Sequence, residues 1–354
     1  MTSLSERPHA GRRLCYFAHY DPDPIVGDHV IRYLSALRDA GFSIAFGTPC
    51  ALDETERAKV AAVVDTVLLR DNIGLDFGTW IDLLDRQPPG EDDLVLLCND
   101  SVYAPIGDLR AFVDDLLSHR ADFFGAVASG EVTSHLQSWF MIFGSQAHRS
   151  AAFRSLLRPG AITAETTKTE IVYGFEMGLT RRLVEAGFRY HAAYDWRRDS
   201  RIAKRTPFNP THLLWDELVA AGVPFIKVEL LRYNPASVRG VEDWRSLVGA
   251  RAPEMLPLIE QDLARRGGRG RAAPIGTAPS GSRLKGAPDP VYRRQMRRLL
   301  IRDYRAVRRG RRTAAAVNAA LAHAAWQYAR FGRVVKWTVL DGLAALARRA
   351  RRAA

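Results

Sequence analysis

The chain has 354 residues, 47% of them hydrophobic and 25% charged, and its formal net charge is +12 at pH 7. These proportions are ordinary for a folded globular protein with one large domain or two. No run approaches the roughly 20 apolar residues of a membrane-spanning helix, and no apolar stretch follows the charged N-terminus, which argues against a secretory signal. We expect the thiols of Cys15, Cys50 and Cys98, which lack a metal-binding spacing, to be buried in a protein of the reducing cytoplasm.

The positive charge is concentrated at the end of the sequence. Residues 291–354 contain 17 Arg and Lys against Asp303 and Asp341, whereas residues 1–290 contain 34 basic and 37 acidic residues and have a net charge of −3. Between residues 265 and 290 large apolar side chains are almost absent, so this segment cannot bury enough surface to offset its ordering entropy. We predict four parts: a disordered N-terminus (1–13), a folded domain (14–250), a linker (251–290) and a basic helical tail (291–354).

Strand-like and helix-like patterns alternate through the first part of the folded domain. Short apolar runs predict strands over residues 14–18, 42–46, 64–69 and 94–98. Helical patterns lie between them, over residues 30–41 and 52–63. The continuous run at 94–98 suits a strand buried on both faces of a parallel sheet. This order predicts an α/β fold with a mostly parallel sheet and helices on both of its faces.

The second part of the domain is less regular. We predict helices over residues 109–117 and 172–186, strands over 122–127 and 135–143, and an irregular segment over 151–169. A turn and a strand follow in residues 187–196, and one more helix and a last strand lie within residues 209–235. No repeat of fixed period is visible.

Two clusters of polar residues follow apolar runs and would lie at the carboxyl ends of strands. They are Asn72, Gly74 and Asp76 in the first cluster, and Asn99, Asp100 and Ser101 in the second. Ligands of open α/β sheets bind at this edge, so both clusters would face one crevice. Gly74 would permit close backbone approach, and Asn72 and Asp76 would hold a ribose or a base. The alternative is a helix cap at Asp71 or Asn72.

Two carboxylates are candidates for the chemistry. Asp100 closes a buried strand, where a lone carboxylate is costly without a partner, and a Mg or Mn ion shared with substrate phosphates would supply that partner. The alternative is an Asx turn, which Asn, Asp and Ser commonly form. Glu176 is the polar residue within an apolar helical stripe, where a carboxylate can act as a general base. Its alternative is an ordinary solvated glutamate.

Five motifs are spaced along this domain. They are Asn-x-Gly-x-Asp-Phe-Gly-x-Trp at 72–80, Asn-Asp-Ser-Val-Tyr-x-Pro at 99–105, Asp-Phe-Phe-Gly at 122–125, His-Leu-Gln-Ser-Trp-Phe at 135–140 and Phe-Glu-x-Gly-Leu-Thr at 175–180. Together they resemble the rhamnan synthesis protein F family of bacterial glycosyltransferases, from about residue 14 to residue 235. The same order is similar to the broader A-type glycosyltransferase pattern, which implies a GT-A-like, Rossmann-type fold.

The resemblance implies a nucleotide-sugar-dependent transferase. The sugar, a deoxyhexose such as rhamnose, would pass from a nucleotide-diphosphate donor to a growing surface polysaccharide or lipopolysaccharide. Carried over to this sequence, Asn72 and Asp76 would contact the nucleotide. Asp100 would bind the metal and the diphosphate, and Glu176 would deprotonate the acceptor hydroxyl. One well-placed base fits inversion at the anomeric carbon.

The sequence departs from the usual Asp-x-Asp of the pattern. Asn99, Asp100 and Ser101 offer one carboxylate, so either the metal is held weakly or Lys227 and Arg232 help to neutralise the diphosphate. The alternative for Lys227 is an exposed lysine before a strand-like VELL segment. Weaker candidates, for which plain core is the alternative, would line the sugar or acceptor pocket: His135, Gln137, Trp139 and His212, with His212 also a candidate metal ligand. The reduced motif leaves open an inactive sugar-nucleotide-binding or scaffold protein.

The basic tail combines arginine clusters with aromatic residues such as Trp326 and Trp337. This combination is typical of a helix in the headgroup plane of an anionic membrane. It would place a cytoplasmic, peripheral protein beside a lipid-linked acceptor at the inner face of the cytoplasmic membrane. Nucleic-acid binding is the alternative, against which stand the net charge of −3 in residues 1–290 and the lack of a base-reading motif. A solvated tail is the third interpretation.

Overall fold

The computed structural model describes residues 11–130, 134–195, 198, 210–234, 238 and 240–267. The strands in this part of the chain are β1 (Arg13–Ala18), β2 (Phe42–Thr48), β3 (Thr66–Leu69), β4 (Leu94–Asn99), β5 (Val102–Tyr103), β6 (Phe123–Ser129), β7 (His135–Leu136), β8 (Phe140–Phe143), β9 (Tyr190–Asp195) and β10 (Ile226–Lys227). The helices of the first half are α1 (Asp28–Asp39), α2 (Glu54–Ala61), α3 (Leu75–Arg86), α4 (Leu109–Ser118), α5 (Ser145–Arg149) and α6 (Ala151–Leu156).

The later helices are α7 (Lys168–Glu170), α8 (Met177–Glu185), α9 (Pro210–Leu213), α10 (Trp215–Ala220), α11 (Val228–Tyr233), α12 (Trp244–Arg251) and α13 (Met255–Gly267). A π-helical turn (Ile171–Glu176) joins α7 to α8, and a 3₁₀ turn (Val241–Asp243) precedes α12.

In the main sheet the strands β3, β2, β1, β4, β8 and β6 are neighbours in this order, and β6 also pairs with β7 and β9. The strands β3, β2, β1 and β4 are parallel to one another, and β9 is parallel to β6. The strands β7 and β8 are antiparallel to their neighbours, and β5 and β10 form a separate antiparallel pair. The predicted α/β fold with a mostly parallel sheet is therefore confirmed.

Helices cover both faces of the sheet, as predicted. Neighbouring residues of a strand point to opposite faces. The ring of Phe17 in β1 lies 5.5 Å from the ring of Tyr33 in α1. The hydroxyl of the preceding residue, Tyr16, donates a 2.6 Å hydrogen bond to the carbonyl of Gln87, directly after α3. The helices α1 and α3 therefore lie on opposite faces, and β1 is buried between them.

The parallel half of the sheet positions the two predicted polar clusters. Every residue of β4 is buried, as its continuous apolar run predicts. In the register between β1 and β4, Ala18 pairs with Asn99, so the carboxyl ends of these strands lie side by side. The indole N–H of Trp80 in α3 donates a 3.1 Å hydrogen bond to the carbonyl of Cys98 and fixes this helix against the end of β4.

The predicted strand over residues 135–143 is interrupted at residues 137–139. Both β7 and β8 pair antiparallel with the same side of β6, because β9 occupies the other side, and the register between them shifts by two residues through a bulge. The residues of both strands and of the bulge are buried, so burial does not mark this break. The prediction of an irregular segment over residues 151–169 is also partly wrong. Ser150 caps α6 by accepting a hydrogen bond from the N–H of Phe153, and Thr167 and Glu170 form a capping box.

The strand-like VELL segment is a helix. The strand β10 ends at Lys227, and α11 begins at the next residue, with Val228 and Leu230 buried. A short segment of alternating apolar and polar residues fits either structure, and here its apolar side chains pack into a second core.

This second core extends the folded part of the chain beyond residue 250. It contains buried side chains of β5, β10 and α10–α13, including Tyr103, Trp215 and Trp244. Met255 and Ile259 of α13 are fully buried in it. The predicted start of the linker at residue 251 is therefore wrong, because a packed helix follows. The rest of that linker, the N-terminal residues 1–10 and the tail lie outside the described residues.

The three cysteines are free and buried, as predicted. Cys15 and Cys98 lie on adjacent strands, with their sulfur atoms 3.4 Å apart. Within the part of the chain that the structure describes, no helix has the length and apolar character needed to cross a membrane.

Candidate active site

Asp100 lies where the loop after β1 meets the end of β4. The backbone N–H of Tyr20 donates a 3.0 Å hydrogen bond to Asp100 Oδ2, and His19 Nε2 lies 3.7 Å from the same oxygen. His19 Nδ1 lies 3.0 Å from the hydroxyl oxygen of Thr48, at the end of β2. The loop after β1 thus contacts the carboxylate directly, and His19 links it to the end of β2.

The electrostatic surroundings of Asp100 favour its neutral form. Burial raises the pKa of Asp100 to about 7, and the charges of Asp76 and Asp21 act in the same direction. The hydrogen bond from Tyr20 opposes this shift because it stabilises the carboxylate. The side chain is still 16% exposed. Asp100 is therefore a carboxyl that changes charge near neutral pH and can meet a ligand.

A chain of hydrogen bonds joins the two predicted polar clusters. Asn99 Nδ2 donates a 2.7 Å hydrogen bond to Asp76 Oδ2, and Asn99 Oδ1 accepts hydrogen bonds from the backbone and the hydroxyl of Ser101. Ser101 Oγ accepts a 2.7 Å hydrogen bond from Lys227 Nζ. The Asx turn in this motif is therefore made by Asn99, and the carboxylate of Asp100 takes no part in it.

Lys227 carries a half-buried ammonium group among carboxylates. Burial lowers its pKa, and the charges of four carboxylates oppose this effect: Glu176, Glu229, Asp76 and Asp100. Burial also raises the pKa of Asp76 to about 6, an effect that Lys227 opposes. Asp100 and Glu176, which the sequence predicts for opposite ends of one reaction, thus share a neighbouring cation.

Glu176 ends the π-helical turn before α8. Its Oε1 accepts a 3.0 Å hydrogen bond from the hydroxyl of Ser138, in the bulge between β7 and β8. The ring of the preceding residue, Phe175, lies 5.7 Å from the ring of Phe77 in α3, the helix that carries Asp76. Glu176 is half-buried and hydrogen-bonded, unlike a solvated surface glutamate. Single π-helical turns frequently occur at functional sites.

The bulge between β7 and β8 carries two of the weaker candidates. Trp139 Nε1 donates a 2.7 Å hydrogen bond to Gln137 Oε1, which also accepts a hydrogen bond from the hydroxyl of Thr211. Gln137, Trp139 and His135 are all buried, His135 in the short strand β7. Lys227 Nζ lies 5.8 Å from the centre of the Trp139 ring, so Trp139 is the one of the three that lies beside the ammonium group.

His212 lies on α9 and has different neighbours from Asp100. Its Nε2 is 3.9 Å from Glu229 Oε2, and burial together with the charge of Lys227 lowers its pKa to about 3. Neither ring nitrogen has a hydrogen-bond partner among the described residues. No three His, Cys, Asp or Glu side chains in that part of the chain form a group that could hold a metal ion. Asp100 is the one carboxylate of its motif that a divalent cation could use, and such an ion would need substrate oxygens to complete its coordination.

The turn that carries Asn72 and Gly74 is shaped by packing. Gly74 has a φ of 83° and precedes the first residue of α3. A Cβ at this position would lie 2.6 Å from Ile162 Cγ2, so the close approach that requires glycine is to the protein itself. Asn72 is exposed on this turn. The proposed helix cap at Asp71 or Asn72 is wrong, because the cap position of α3 is Gly74.

Arg232 is held by a carboxylate of the second core. Its Nε donates a 3.2 Å hydrogen bond to Asp262 Oδ2, and its side chain is only 9% exposed. The partner belongs to α13, in the segment predicted to be a linker. The charge of Arg232 still acts to lower the pKa of Asp100, and its help to Lys227 in neutralising a diphosphate stays a prediction.

The contribution of the loop after β1 to the site was not predicted. His19 and Tyr20 belong to a run of turn-forming residues whose composition carries no chemical signature. The one available signal was position, because this loop follows the first strand at the edge where Asp100 was expected.

Comparison with known proteins agrees with the motifs. The family model for rhamnan synthesis protein F matches residues 44–254. Virulence protein VirA of Vibrio anguillarum is 26% identical over 200 residues, which cover 48% of this chain and 64% of VirA. The uncharacterized protein y4gN of Sinorhizobium fredii is 25% identical over 168 residues, which cover 46% of this chain and 43% of that protein.

The matched regions thus span less than two thirds of either relative. The family match itself covers more than half of this chain and contains Asp76, Asp100, Glu176 and Lys227. The chain belongs to the rhamnan synthesis protein F family.

Proposed function

We propose that this chain is a glycosyltransferase that moves a sugar from a nucleoside diphosphate donor to a hydroxyl of a surface polysaccharide or lipopolysaccharide. Its family is one of polysaccharide synthesis. The sugar in this proposal is a deoxyhexose such as rhamnose. The observation that carries the proposal is the half-buried ammonium of Lys227, with Asp76, Asp100 and Glu176 as its charged neighbours.

A GT-A-like organisation is part of the proposal. The parallel strands β3, β2, β1 and β4 place Asp100 at their carboxyl ends, where open α/β sheets bind nucleotides. Asp76, in the first turn of α3, lies at the same edge through its hydrogen bond with Asn99. In this arrangement Asp76 accepts a hydrogen bond from the ribose, and Asn72 contacts the nucleotide from the exposed turn.

The transfer is one in-line displacement. The acceptor oxygen bonds to the anomeric carbon as its proton moves to Glu176. The bond between that carbon and the diphosphate oxygen breaks, and its electron pair leaves with the nucleoside diphosphate. Attack from the side opposite the leaving group inverts the anomeric configuration.

Charge stabilisation of the leaving group falls to Lys227. A positive charge held in a partly dry site is worth more than one in water, so it offsets the charge that develops on the diphosphate. A divalent cation bound with the donor would be held by Asp100 and would add positive charge at the same group.

A panel of nucleoside diphosphate sugars tests the proposal. Thermal stabilisation of the full chain, with and without Mn²⁺, would identify the donor that binds. Release of nucleoside diphosphate in the presence of a polysaccharide acceptor would then show transfer. We expect release with the parent chain and none with Glu176→Gln. Stabilisation by no donor of the panel would contradict the proposal.

An inactive sugar-nucleotide-binding or scaffold protein is the second candidate. The observation that favours it is the single carboxylate of the Asn99-Asp100-Ser101 motif. This candidate predicts stabilisation by a donor without release of nucleoside diphosphate under any condition that supplies an acceptor. Release that depends on Glu176 would exclude it.

The proposed site of action is the inner face of the cytoplasmic membrane, which the basic residues 291–354 would contact. Flotation of the full chain with anionic vesicles tests this role. A full-length variant in which four arginines are replaced by glutamine is the matched control: Arg293, Arg294, Arg297 and Arg298. We expect the parent chain to float with the vesicles and the variant to float less. Equal flotation, or binding to nucleic acid in preference to vesicles, would contradict the membrane role.

A further inference from the structure

Arg265 on α13 binds the loop that follows β1. Its Nη2 donates a 2.6 Å hydrogen bond to Asp21 Oδ2, and its Nη1 donates a 3.2 Å hydrogen bond to Asp21 Oδ1. Nη1 also donates a 3.0 Å hydrogen bond to Asp23 Oδ2. Bidentate pairs of arginine and carboxylate fix both the position and the orientation of the two side chains. The Asp21 side chain is 7% exposed, so the pair is largely shielded from water.

The guanidinium group of Arg265 is itself held in place. Its Nη2 also donates a 3.0 Å hydrogen bond to Asp262 Oδ1, one turn earlier on the same helix. The other oxygen of Asp262 accepts a 2.6 Å hydrogen bond from the hydroxyl of Tyr103 and further hydrogen bonds from Arg232. With its side chain 2% exposed, Asp262 anchors α13 to the second core. Arg265 is therefore held in position on α13 while it binds the loop after β1.

The loop after β1, which Arg265 binds, also contacts Asp100. Tyr20, whose N–H donates to Asp100 Oδ2, directly precedes Asp21. Cys50 binds the backbone of the same loop: its Sγ accepts a 3.3 Å hydrogen bond from the N–H of Asp21 and donates a 3.1 Å hydrogen bond to the carbonyl of Asp21. The backbone at Asp21 is thus fixed by Cys50 and its side chain by Arg265, which sets where the N–H of Tyr20 points.

We propose that Arg265 is a positioning residue for Asp100, acting through Asp21 and the backbone N–H of Tyr20. The proposal deepens the proposed transferase function and rests on it for its catalytic consequence. Asp21 precedes and Arg265 follows the range 44–254 that the family model matches. The two flanks of the matched domain therefore meet to complete the carboxylate site within it.

Amide hydrogen exchange and a double-mutant cycle test this role in the full chain. In Arg265→Met, amides of residues 19–23 should exchange faster, while those of β4 and β6 keep their protection. The affinity for UDP and dTDP and the rate of sugar transfer should fall by on the order of ten- to a hundredfold, as expected when a reactive group shifts slightly. The loss should be absent in the Asp100→Asn background, since Arg265 acts through that carboxyl group.

Arg245→Met is the matched control. Arg245 also binds α13, through a 2.7 Å hydrogen bond to Glu260, but its side chain is 58% exposed and it has no contact with the loop after β1 among the described residues. Arg245→Met should change affinity and transfer rate only slightly, and by the same factor in the parent and Asp100→Asn backgrounds. Arg265→Lys keeps the charge but loses the bidentate geometry, so its affinity for UDP and dTDP and its transfer rate should lie between those of the parent and of Arg265→Met. It also keeps the proposal testable if the methionine variant does not fold.

Unchanged exchange in residues 19–23, or an equal loss from Arg265→Met in the parent and Asp100→Asn backgrounds, would overturn the proposal. Failure of the transferase function is a separate outcome. If the parent chain transfers no sugar, that function falls, whereas exchange and the cycle measured on UDP and dTDP binding still decide the role of Arg265.

Discussion

The side-chain amide of Asn99 donates a 2.7 Å hydrogen bond to the carboxylate of Asp76. Asn99 ends β4, and Asp76 lies in the first turn of α3, so this bond joins two segments that are 23 residues apart in the sequence. Because Asn99 also forms the turn to Ser101, its side-chain oxygen already accepts two hydrogen bonds and is not free to bind a metal in place of a carboxylate. Asp100 is left as the acidic group of its motif.

Asp100→Asn should stabilise the protein clearly more at pH 8 than at pH 5. The folded-state pKa of Asp100 is raised to about 7 by burial, so the folded protein binds this proton more tightly than the unfolded chain does. Stability is therefore lost as the pH rises from about 4 to 7, and the asparagine variant avoids that loss. Melting temperatures at the two pH values measure it, with a gain of about 2–4 °C for each kcal/mol. An equal effect at both pH values would contradict the assigned environment.

Lys227→Met should weaken binding of nucleoside diphosphates by on the order of ten- to a hundredfold, the usual worth of a hydrogen bond to a charged group. Burial lowers the pKa of Lys227. As the pH rises, the parent chain should therefore lose affinity at a lower pH than it would if Lys227 had the pKa of an exposed lysine. That alkaline loss should be missing in the variant. Calorimetric titration with UDP and dTDP between pH 7 and 10 measures both effects. Lys59→Met, a surface lysine paired with Glu56 on α2, is the control and should bind as the parent does.

Glu176→Gln should abolish most transfer while leaving donor binding intact. General-base catalysis typically contributes about 10²–10⁴-fold, and glutamine keeps the shape and can still accept the hydrogen bond from Ser138. Rates of nucleoside diphosphate release, compared with thermal stabilisation by the donor, separate the two effects. Glu185→Gln, at an exposed position on α8 beside Arg181, is the control. Normal transfer by Glu176→Gln would remove this residue from the mechanism.

Much of this site could be predicted because the local sequence indicates where each strand ends. The apolar run of β4 predicts both the strand and the place where it stops, so the position of Asp100 at the sheet edge follows from a few neighbouring residues. Asp76 follows from the same argument, since a helix that begins after a parallel strand starts at that edge. Short-range patterns were sufficient for both residues.

The remaining features depend on partners far along the chain. Arg232 was assigned to the diphosphate because nothing near it in sequence reveals the carboxylate of Asp262, 30 residues later. Arg265 binds Asp21 across 244 residues, and both lie in stretches whose composition indicates only turns or a linker. Ion pairs of this kind are set by tertiary packing, which no local pattern encodes.

Gly74→Ala should destabilise the protein more than Gly160→Ala does. Both glycines have a positive φ, 83° and 73°, which costs an alanine about 1–2 kcal/mol. At Gly160 a Cβ would meet no atom within 4 Å, whereas at Gly74 it would lie 2.6 Å from Ile162 Cγ2. Overpacking adds about 1–3 kcal/mol at Gly74 alone, and urea denaturation measures the difference.

The same comparison bears on the site. Gly74 immediately precedes α3, which carries Asp76, so relief of the clash with Ile162 would move that carboxylate and weaken nucleotide binding as well. Gly160→Ala should lose stability without losing affinity for UDP or dTDP. The double variant Gly74→Ala with Ile162→Ala should recover part of both losses, because it removes the atom that the new Cβ would meet. Equal destabilisation by the two single variants would show that backbone conformation alone requires glycine in this turn.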